Sequence, residues 1–343
     1  MQKILLDPQE IAQVQSIVSE LASRYDSAED NDFLNEASLS AHELPRRLRS
    51  ELLRFKHDEN GDGVFVISGL PLDNVAIGPT PIHWKHRASK SATLREEMLF
   101  VLCGSLLGDP FGWATQQNGY LIHEVIPMKK YETAQLGFSS QQYLDWHIED
   151  AFHPFRADYV GLMCLRNPGQ TATVIGSVNE IALDKDMVER LFEPHFTIRP
   201  DESHLMKNME TGLQPVDGED EDLVGSYAAI DRMDKAPERI PILFGDPKSP
   251  YVRLDPYFME PADDGGARQA VDTLVGEIEK RLRNLVLEPG EILFIDNFRV
   301  VHGRVPFVAK YDGTDRWLKR INITRDLRKS REARRSSLSR QIF

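Results

Sequence analysis

Cysteine is nearly absent: Cys103 and Cys164 are the only two, and each lies inside an apolar run. So few thiols, so placed, exclude a disulfide-stapled scaffold and read as buried free thiols in a reducing compartment. Long hydrophobic runs are missing too, since none approaches the ~18 residues of a membrane span. The opening Met1-Gln2-Lys3-Ile4-Leu5-Leu6-Asp7 has too short an apolar stretch for a signal peptide. A cytoplasmic protein with no membrane partner is therefore expected. Positive charge is scarce as well: 41 Lys and Arg face 54 Asp and Glu, a formal net charge of -13. That excludes a general nucleic-acid binder, because neutralising phosphates requires a basic footprint. Only the tail from Arg325 to Arg340 is basic, and it reads as a solvated helix or a strap over the body of the protein. No internal repeat is visible.

What is present is an ordinary globular composition, 41% hydrophobic and 28% charged over 343 residues, enough for a large core. Asp7-Pro8 reads as an N-cap followed by proline at the first helical position, and Ile11, Val14, Val18 and Leu21 recur on one face, predicting a helix over 8–25. Further helices are expected near 43–56, 93–107, 182–192 and 267–285, with a short buried strand over 63–69. From about 111 the pattern turns to short β-type runs broken by Gly, Pro, Asn and Asp, at 119–126, 143–149, 158–165, 171–177, 196–199, 241–244, 251–255, 291–295 and 318–324. Many short strands at such spacing predict a sandwich or barrel. The acidic stretch Asp217-Gly218-Glu219-Asp220-Glu221-Asp222 reads as a solvated loop; it lacks the ligand order of an EF-hand.

Chemistry concentrates in Tyr143-Leu144-Asp145-Trp146-His147-Ile148-Glu149-Asp150. Leu144, Trp146 and Ile148 alternate with Asp145, His147 and Glu149, and side chains two apart on a strand point the same way. His147 and Glu149 can therefore grip one metal ion. The best third ligand is His302, in the segment that runs from Phe294 through Asp296-Asn297 to His302-Gly303-Arg304. Two imidazoles and one carboxylate form the facial triad of non-haem iron(II) oxygenases, which leaves the opposite face of the metal open. The chain carries its own control in His57-Asp58-Glu59, which has the same spacing. That copy runs into Asn60-Gly61-Asp62-Gly63 without apolar alternation and reads as a surface turn. The remaining histidines (42, 57, 83, 86, 123, 153, 195 and 204) read as structural or exposed.

Three segments in this order, Trp146-His147-Ile148-Glu149-Asp150-Ala151-Phe152, then Leu287-Glu288-Pro289-Gly290-Glu291 leading to Asp296-Asn297 and His302-Gly303-Arg304, then Tyr311-Asp312-Gly313-Thr314-Asp315-Arg316-Trp317-Leu318-Lys319-Arg320, carry a likeness. The chain resembles the clavaminate synthase-like branch of Fe(II)/2-oxoglutarate dioxygenases, particularly the free L-arginine hydroxylases, over roughly residues 63–335. The resemblance implies a mainly β fold, a double-stranded β-helix (jelly roll) wrapped by α-helices. It further implies one catalytic domain over 1–343: helical support over 1–110, the jelly roll over 111–325 with a lid insertion near 200–235, and the basic tail over 326–343.

The resemblance also assigns roles. His147, Glu149 and His302 would hold Fe(II). Arg316, 14 residues after His302, would pair with the distal carboxylate of 2-oxoglutarate, helped by Thr173; a planar guanidinium suits that task because it binds a carboxylate bidentately. If 316–320 is a regular strand, Arg320 lies on the same face about 13 Å away and would clamp the α-carboxylate of an amino-acid substrate, while Trp317, Ile321 and Ile323 pack on the other face. Gln116 matches a pocket glutamine, Asp201 and Ser203 an Asp-x-Ser on a mobile lid, and Asp255 an acid facing the cationic end of the substrate. Glu149 would serve twice, with one oxygen on iron and another near the substrate ammonium. One position departs from the pattern: a second aspartate two residues after the first is replaced by Tyr257.

The implied reaction consumes O2 and 2-oxoglutarate and hydroxylates Cβ or Cγ of free L-arginine, with succinate and CO2 as coproducts. Lysine, ornithine, citrulline or another polar amino acid are alternative substrates, and desaturation is an alternative outcome. A non-enzymatic metal or small-molecule sensor built on the same triad is the alternative outside catalysis. Halogenation is disfavoured, since those relatives replace the carboxylate ligand by a small residue and Glu149 is present.

Overall fold

A computed structural model describes residues 1–88, 90–179, 181–206, 221–260 and 262–343. The chain opens with β1 (Gln2–Leu5), α1 (Pro8–Arg24), α2 (Asn31–Ser40), α3 (Arg46–His57), β2 (Val64–Ser68) and α4 (Leu94–Leu107). Next come β3 (Asp109–Trp113), β4 (Ile122–Val125), β5 (Leu144–His147), β6 (Tyr159–Arg166), β7 (Thr173–Ser177), α5 (Lys185–Leu191), β8 (Thr197–Ile198) and α6 (Glu221–Lys235). Last are β9 (Leu243–Asp246), β10 (Ser249–Val252), β11 (Met259–Glu260), α7 (Gly265–Glu279), β12 (Arg283–Leu285), β13 (Ile292–Asp296), β14 (Val300–Arg304), β15 (Trp317–Thr324) and β16 (Gln341–Ile342).

Two sheets face each other. The larger runs β1-β2-β13-β6-β15-β3-β16, with β4 lying against the first half of β15; the smaller runs β12-β7-β14-β5. Period-two alternation builds the layers. Leu162 and Cys164 of β6, Leu293 and Ile295 of β13 and Leu318 of β15 point inward and meet Ile175 of β7 and Val300 of β14. The opposite face of the large sheet, including Met163, Phe294, Ile321 and Ile323, packs against α1 to α4. Val301 turns out from the small sheet toward α7. The result is a mainly β jelly roll between two helical layers, as expected from the resemblance. Both cysteines are buried and free. No helix among the described residues is long and apolar enough to cross a membrane.

The differences from the sequence expectations are local. α1 starts where predicted, and its N-cap is a full capping box: Asp7 accepts from the Glu10 amide while Glu10 accepts from the Asp7 amide. α2 was not anticipated, although Asp30 caps it and Phe33, Leu34 and Ala37 form its buried face. The helical N-terminal third also donates β1 and β2 to the edge of the large sheet. Residues 326–343 do form a strap, which ends with β16 lying parallel to β3. Residues 217–220 of the acidic stretch and 207–220 of the expected lid lie outside the described residues; Glu221 and Asp222 begin α6, which takes up the C-terminal part of the lid span.

Candidate active site

The strand that presents His302, β14, was not among the anticipated runs, because its inward face is polar where a core strand would be apolar. Val300, His302 and Arg304 all point between the sheets. β14 lies antiparallel to β5, and His302 pairs directly with His147. Gly303 makes that approach possible: a Cβ there would come within 2.6 Å of the Leu144 carbonyl oxygen.

The shared-face expectation for His147 and Glu149 needs correction. β5 ends at His147, so Glu149 lies beyond the strand. What places it is a turn in which Asp150 adopts φ 51°, a left-handed conformation that aspartate tolerates better than most residues. Asn297, wholly buried, grips this turn from both sides: its Oδ1 accepts from the Glu149 amide at 2.8 Å and its Nδ2 donates to the Glu149 carbonyl at 3.0 Å and the Ala157 carbonyl at 2.9 Å. Arg253 donates to the carbonyls of Ala151 and Phe152 just downstream.

So held, Glu149 Oε2 lies 3.2 Å from His302 Nε2 and 3.6 Å from His147 Nε2. The ligand atoms of the three residues lie within 4.8 Å of one another. His147 Nδ1 donates to the Asp145 carbonyl at 2.8 Å, which turns Nε2 toward Glu149. Burial works against the charged form of Glu149, yet Arg320, His147 and His302 hold its carboxyl well below the usual carboxylate range. At His147 burial is outweighed by Glu149 and Asp255, which push the imidazole up to about 9. Burial, opposed by Glu149, pulls His302 down. An anionic carboxylate and a neutral imidazole are ligand-ready states, and the proton that His147 attracts is one a divalent cation would displace. The donor set suits iron(II).

A second cluster of ligand-type groups, Asp150, Asp201 and His204, is of another kind. Trp113 Nε1 donates to Asp150 Oδ2 at 2.6 Å, His204 Nε2 lies 2.9 Å from Asp150 Oδ1, and His204 Nδ1 lies 2.7 Å from the Thr115 hydroxyl. Its polar atoms are satisfied within the protein, so it reads as a brace. His57, Asp58 and Glu59 form no such cluster among the described residues.

The triad opens into a cavity of about 390 Å³, a fitting size for small molecules. Gln116, Thr173, Asp201, Ser203, Asp255, Arg316 and Arg320 all line it. Arg316 precedes β15 rather than lying on it, and a bulge separates Trp317 from Leu318. Arg316 is 6% exposed, and its guanidinium makes no hydrogen bond or ion pair among the described residues. Burial pulls its pKa down to about 10. Arg320 donates to Glu149 Oε1 and, at 2.9 Å, to Gln116 Oε1. Gln116 Nε2 donates to Ser203 Oγ at 2.5 Å, and Asp201 caps the turn that carries Ser203. Asp255 accepts from the amides of Tyr257 and Phe258, and burial pushes its carboxyl up to about 6. Tyr257, where a second acid was sought, is 55% exposed at the cavity wall.

Sequence reading missed Asn297, Asp150 and His204 as the brace of the metal-ligand turn, and His123 beside Arg320. Asn297 and Asp150 stand in the quoted motifs without a role, and His123 and His204 read from sequence only as structural or exposed. Replacing Asn297 by alanine is expected to weaken iron(II) affinity about 10- to 100-fold, the usual cost of losing support behind a ligand. Anaerobic titration calorimetry with circular dichroism as a fold check measures this; unchanged affinity would make the main-chain grip dispensable.

Comparison with known proteins agrees with this geometry. Residues 96–322 match the family model described as taurine catabolism dioxygenase TauD, TfdA family. The chain is 42% identical over 341 residues, 98% of each protein, to enduracididine beta-hydroxylase of Streptomyces hygroscopicus. It is 44% identical over 347 residues, the full length of both, to L-ornithine/L-arginine 3-hydroxylase of Catenulispora acidiphila. The crystal structure of the non-heme iron oxygenase OrfP with Fe, succinate and (3S)-hydroxy-L-Arg superposes with a TM-score of 0.93 at 43% identity over 100% of both chains.

Proposed function

The chain belongs to the TauD/TfdA dioxygenase family, and from that premise we propose that it is an Fe(II)/2-oxoglutarate-dependent oxygenase that hydroxylates Cβ or Cγ of free L-arginine. One observation carries this reading: a metal-ready triad and a buried guanidinium with no partner among the described residues share one cavity with Arg320 and with the carboxylates of Asp201 and Asp255. The names of the relatives support the same chemistry on arginine-like amino acids.

In this reading His147, Glu149 and His302 hold iron(II). The chemistry supplied there, with 2-oxoglutarate and O2, is removal of hydrogen from an unactivated C–H bond, leaving succinate, CO2 and the hydroxylated product. The protein binds, orients and shields. Arg316 takes the distal carboxylate of 2-oxoglutarate, with Thr173 beside it, and the absence of any other partner among the described residues makes that guanidinium available. Arg320 takes the substrate α-carboxylate, and Glu149 Oε1, which Arg320 contacts, receives the α-ammonium. Asp255 and Asp201 face the cationic end, so the acids outnumber what a neutral side chain would need. Asp201 and Ser203 tie the covering segment to Gln116 and thence to Arg320. The chain as a whole is read as one catalytic domain, since α1 to α4 share a core with the outer face of the large sheet.

The direct test is anaerobic reconstitution with iron(II) and 2-oxoglutarate, followed by oxygen and a panel of free amino acids. Stoichiometric succinate and a product heavier by one oxygen from arginine are expected; no turnover of any basic amino acid removes the reading. Because Tyr257 stands where a second acid would be, some turnover of ornithine or lysine is also expected. Asp255 probes the side chain of the substrate. A partly desolvated, charge-assisted contact is worth about 1.5 to 3 kcal/mol, so Asp255→Asn should lose on the order of tenfold to a hundredfold in kcat/KM for arginine. For citrulline the loss should be much smaller. Equal losses for the two would refute a cationic substrate and leave the oxygenase chemistry standing.

A further inference from the structure

We propose that His123 is a positioning residue for Arg320: a neutral imidazole that accepts a hydrogen bond from the guanidinium and fixes the plane against which the substrate α-carboxylate docks. This rests on the role given to Arg320 above.

The register puts the two side by side. β4 lies antiparallel to the first half of β15, and His123 is the direct cross-strand neighbour of Arg320. His123 Nδ1 lies 2.8 Å from Arg320 Nη2. A guanidinium can only donate, so Nδ1 must carry its lone pair and the ring proton must sit on Nε2. The surroundings favour that form: burial, then the charges of Arg320 and Arg87, hold the His123 pKa well below its ordinary value. Nε2 is buried and makes no well-formed hydrogen bond among the described residues, with the Tyr120 carbonyl the acceptor that favours a ring proton.

The strand beneath His123 is itself pinned. Glu29 accepts from the amides of Leu121 at 2.7 Å and Ile122 at 3.3 Å and pairs with Arg87 at 2.8 Å, while Arg87 donates to the Ile122 carbonyl. This half-buried ion pair holds the backbone next to His123 from both its donor and its acceptor sides. The other partners of Arg320 are less fixed. Glu149 is committed to the triad, and Gln116 is tied to Ser203, on the segment that faces the substrate. Among these contacts, His123 is the one that need not change when substrate binds.

Three variants test the assignment. His123→Phe keeps the ring and removes the acceptor; His123→Asn puts an amide oxygen close to the Nδ1 position; His123→Gln moves the oxygen further along the chain. Losing an acceptor from a charged donor should raise KM for arginine about ten- to a hundredfold in His123→Phe. The KM for 2-oxoglutarate, the iron(II) affinity and kcat at saturation should stay near wild type, and His123→Asn should restore most of the loss where His123→Gln does not. L-argininamide adds a readout that a structural role would not move. It lacks the carboxylate, so wild type should discriminate strongly against it and His123→Phe should lose most of that discrimination. Unchanged KM in His123→Phe, or His123→Asn no better than His123→Gln, overturns the proposal. If His123→Phe does not fold, the Asn and Gln comparison and their argininamide ratios decide it alone. Failure of wild type to turn over arginine would instead overturn the substrate reading, which keeps the two failures distinct.

Discussion

Glu149→Ala is expected to abolish hydroxylation in a protein that still folds. The substitution removes a metal ligand and, at the same stroke, the anionic partner of Arg320. It also takes away the charge that favours cation binding between two imidazoles, one of which is pulled down by burial. The backbone of the turn should survive, because Asn297 holds residue 149 through its amide and carbonyl and not through its side chain. Glu149→Asp sharpens the claim. It keeps the charge but withdraws the carboxylate by more than 1 Å, and a misplacement of about 1 Å can cost about 100-fold in rate. The expected order is therefore wild type, then Glu149→Asp lower by roughly two orders of magnitude, then Glu149→Ala with no detectable product. His302→Ala, which removes a ligand and leaves its cross-strand neighbour His147 alone, should lower iron(II) affinity sharply. Metal content, succinate and product measured together check these outcomes; wild-type-like turnover in Glu149→Ala or in His302→Ala would remove the triad.

The same residues show what sequence can and cannot reveal. Alternating apolar residues at 144, 146 and 148 located the metal-ligand stretch, because Trp146 and Ile148 do pack into one core. Alternation could not show that β5 stops at His147, since the turn that aims Glu149 depends on an amide 148 residues away. β14 escaped notice for the opposite reason: the chemistry at His302 and Arg304 replaces the inward apolar residues by which a strand is ordinarily recognised. The helical layer was legible wherever a cap preceded an apolar face, as at Asp7. Buried polar partners such as His123 and His204 carry no periodic signal, and their meaning appears only when the sheet register and the 201–204 turn set them beside Arg320 and Asp150.

The frame around the cavity is built from compensated charge. Lys319, one residue from Arg320 and on the other face of β15, is nearly inaccessible, yet it contacts Glu97 at 2.9 Å and also Glu124, which in turn accepts from Trp317 Nε1 at 2.6 Å. Burial opposes its charge, but the two carboxylates outweigh that and raise its pKa. Arg304, on β14, is satisfied by the carbonyl and hydroxyl of Ser139 and the carbonyl of Gln142. Lys319 and Arg304 thus have partners for their charge, whereas Arg316 has none among the described residues.

That contrast makes Arg316→Met the variant with opposite effects on stability and binding. A guanidinium drawn down from its ordinary value to about 10 by burial is disfavoured in its charged form by on the order of 3 kcal/mol relative to the unfolded chain. The sign follows directly. Below pH 10 both states carry the charge and the folded state bears the full cost; the cost is relieved only as pH rises through 10 toward the unfolded value. Replacing the cation by an unbranched apolar side chain removes this cost at neutral pH, as it does when buried charges elsewhere are exchanged for well-packed hydrophobes. Without 2-oxoglutarate, Arg316→Met should therefore melt at least as high as wild type, by up to a few degrees. With the cosubstrate the order reverses. Wild type should gain about 2.7 kcal/mol at a hundredfold excess over Kd, because the distal carboxylate supplies the missing partner, and the variant should gain little. Its KM for 2-oxoglutarate should rise far more than its KM for arginine, whose clamp at Arg320 is untouched. Melting curves with and without 2-oxoglutarate separate the possibilities. A variant less stable than wild type in its absence would mean that Arg316 is a structural cation, and equal stabilisation of both proteins by 2-oxoglutarate would place the anchor elsewhere.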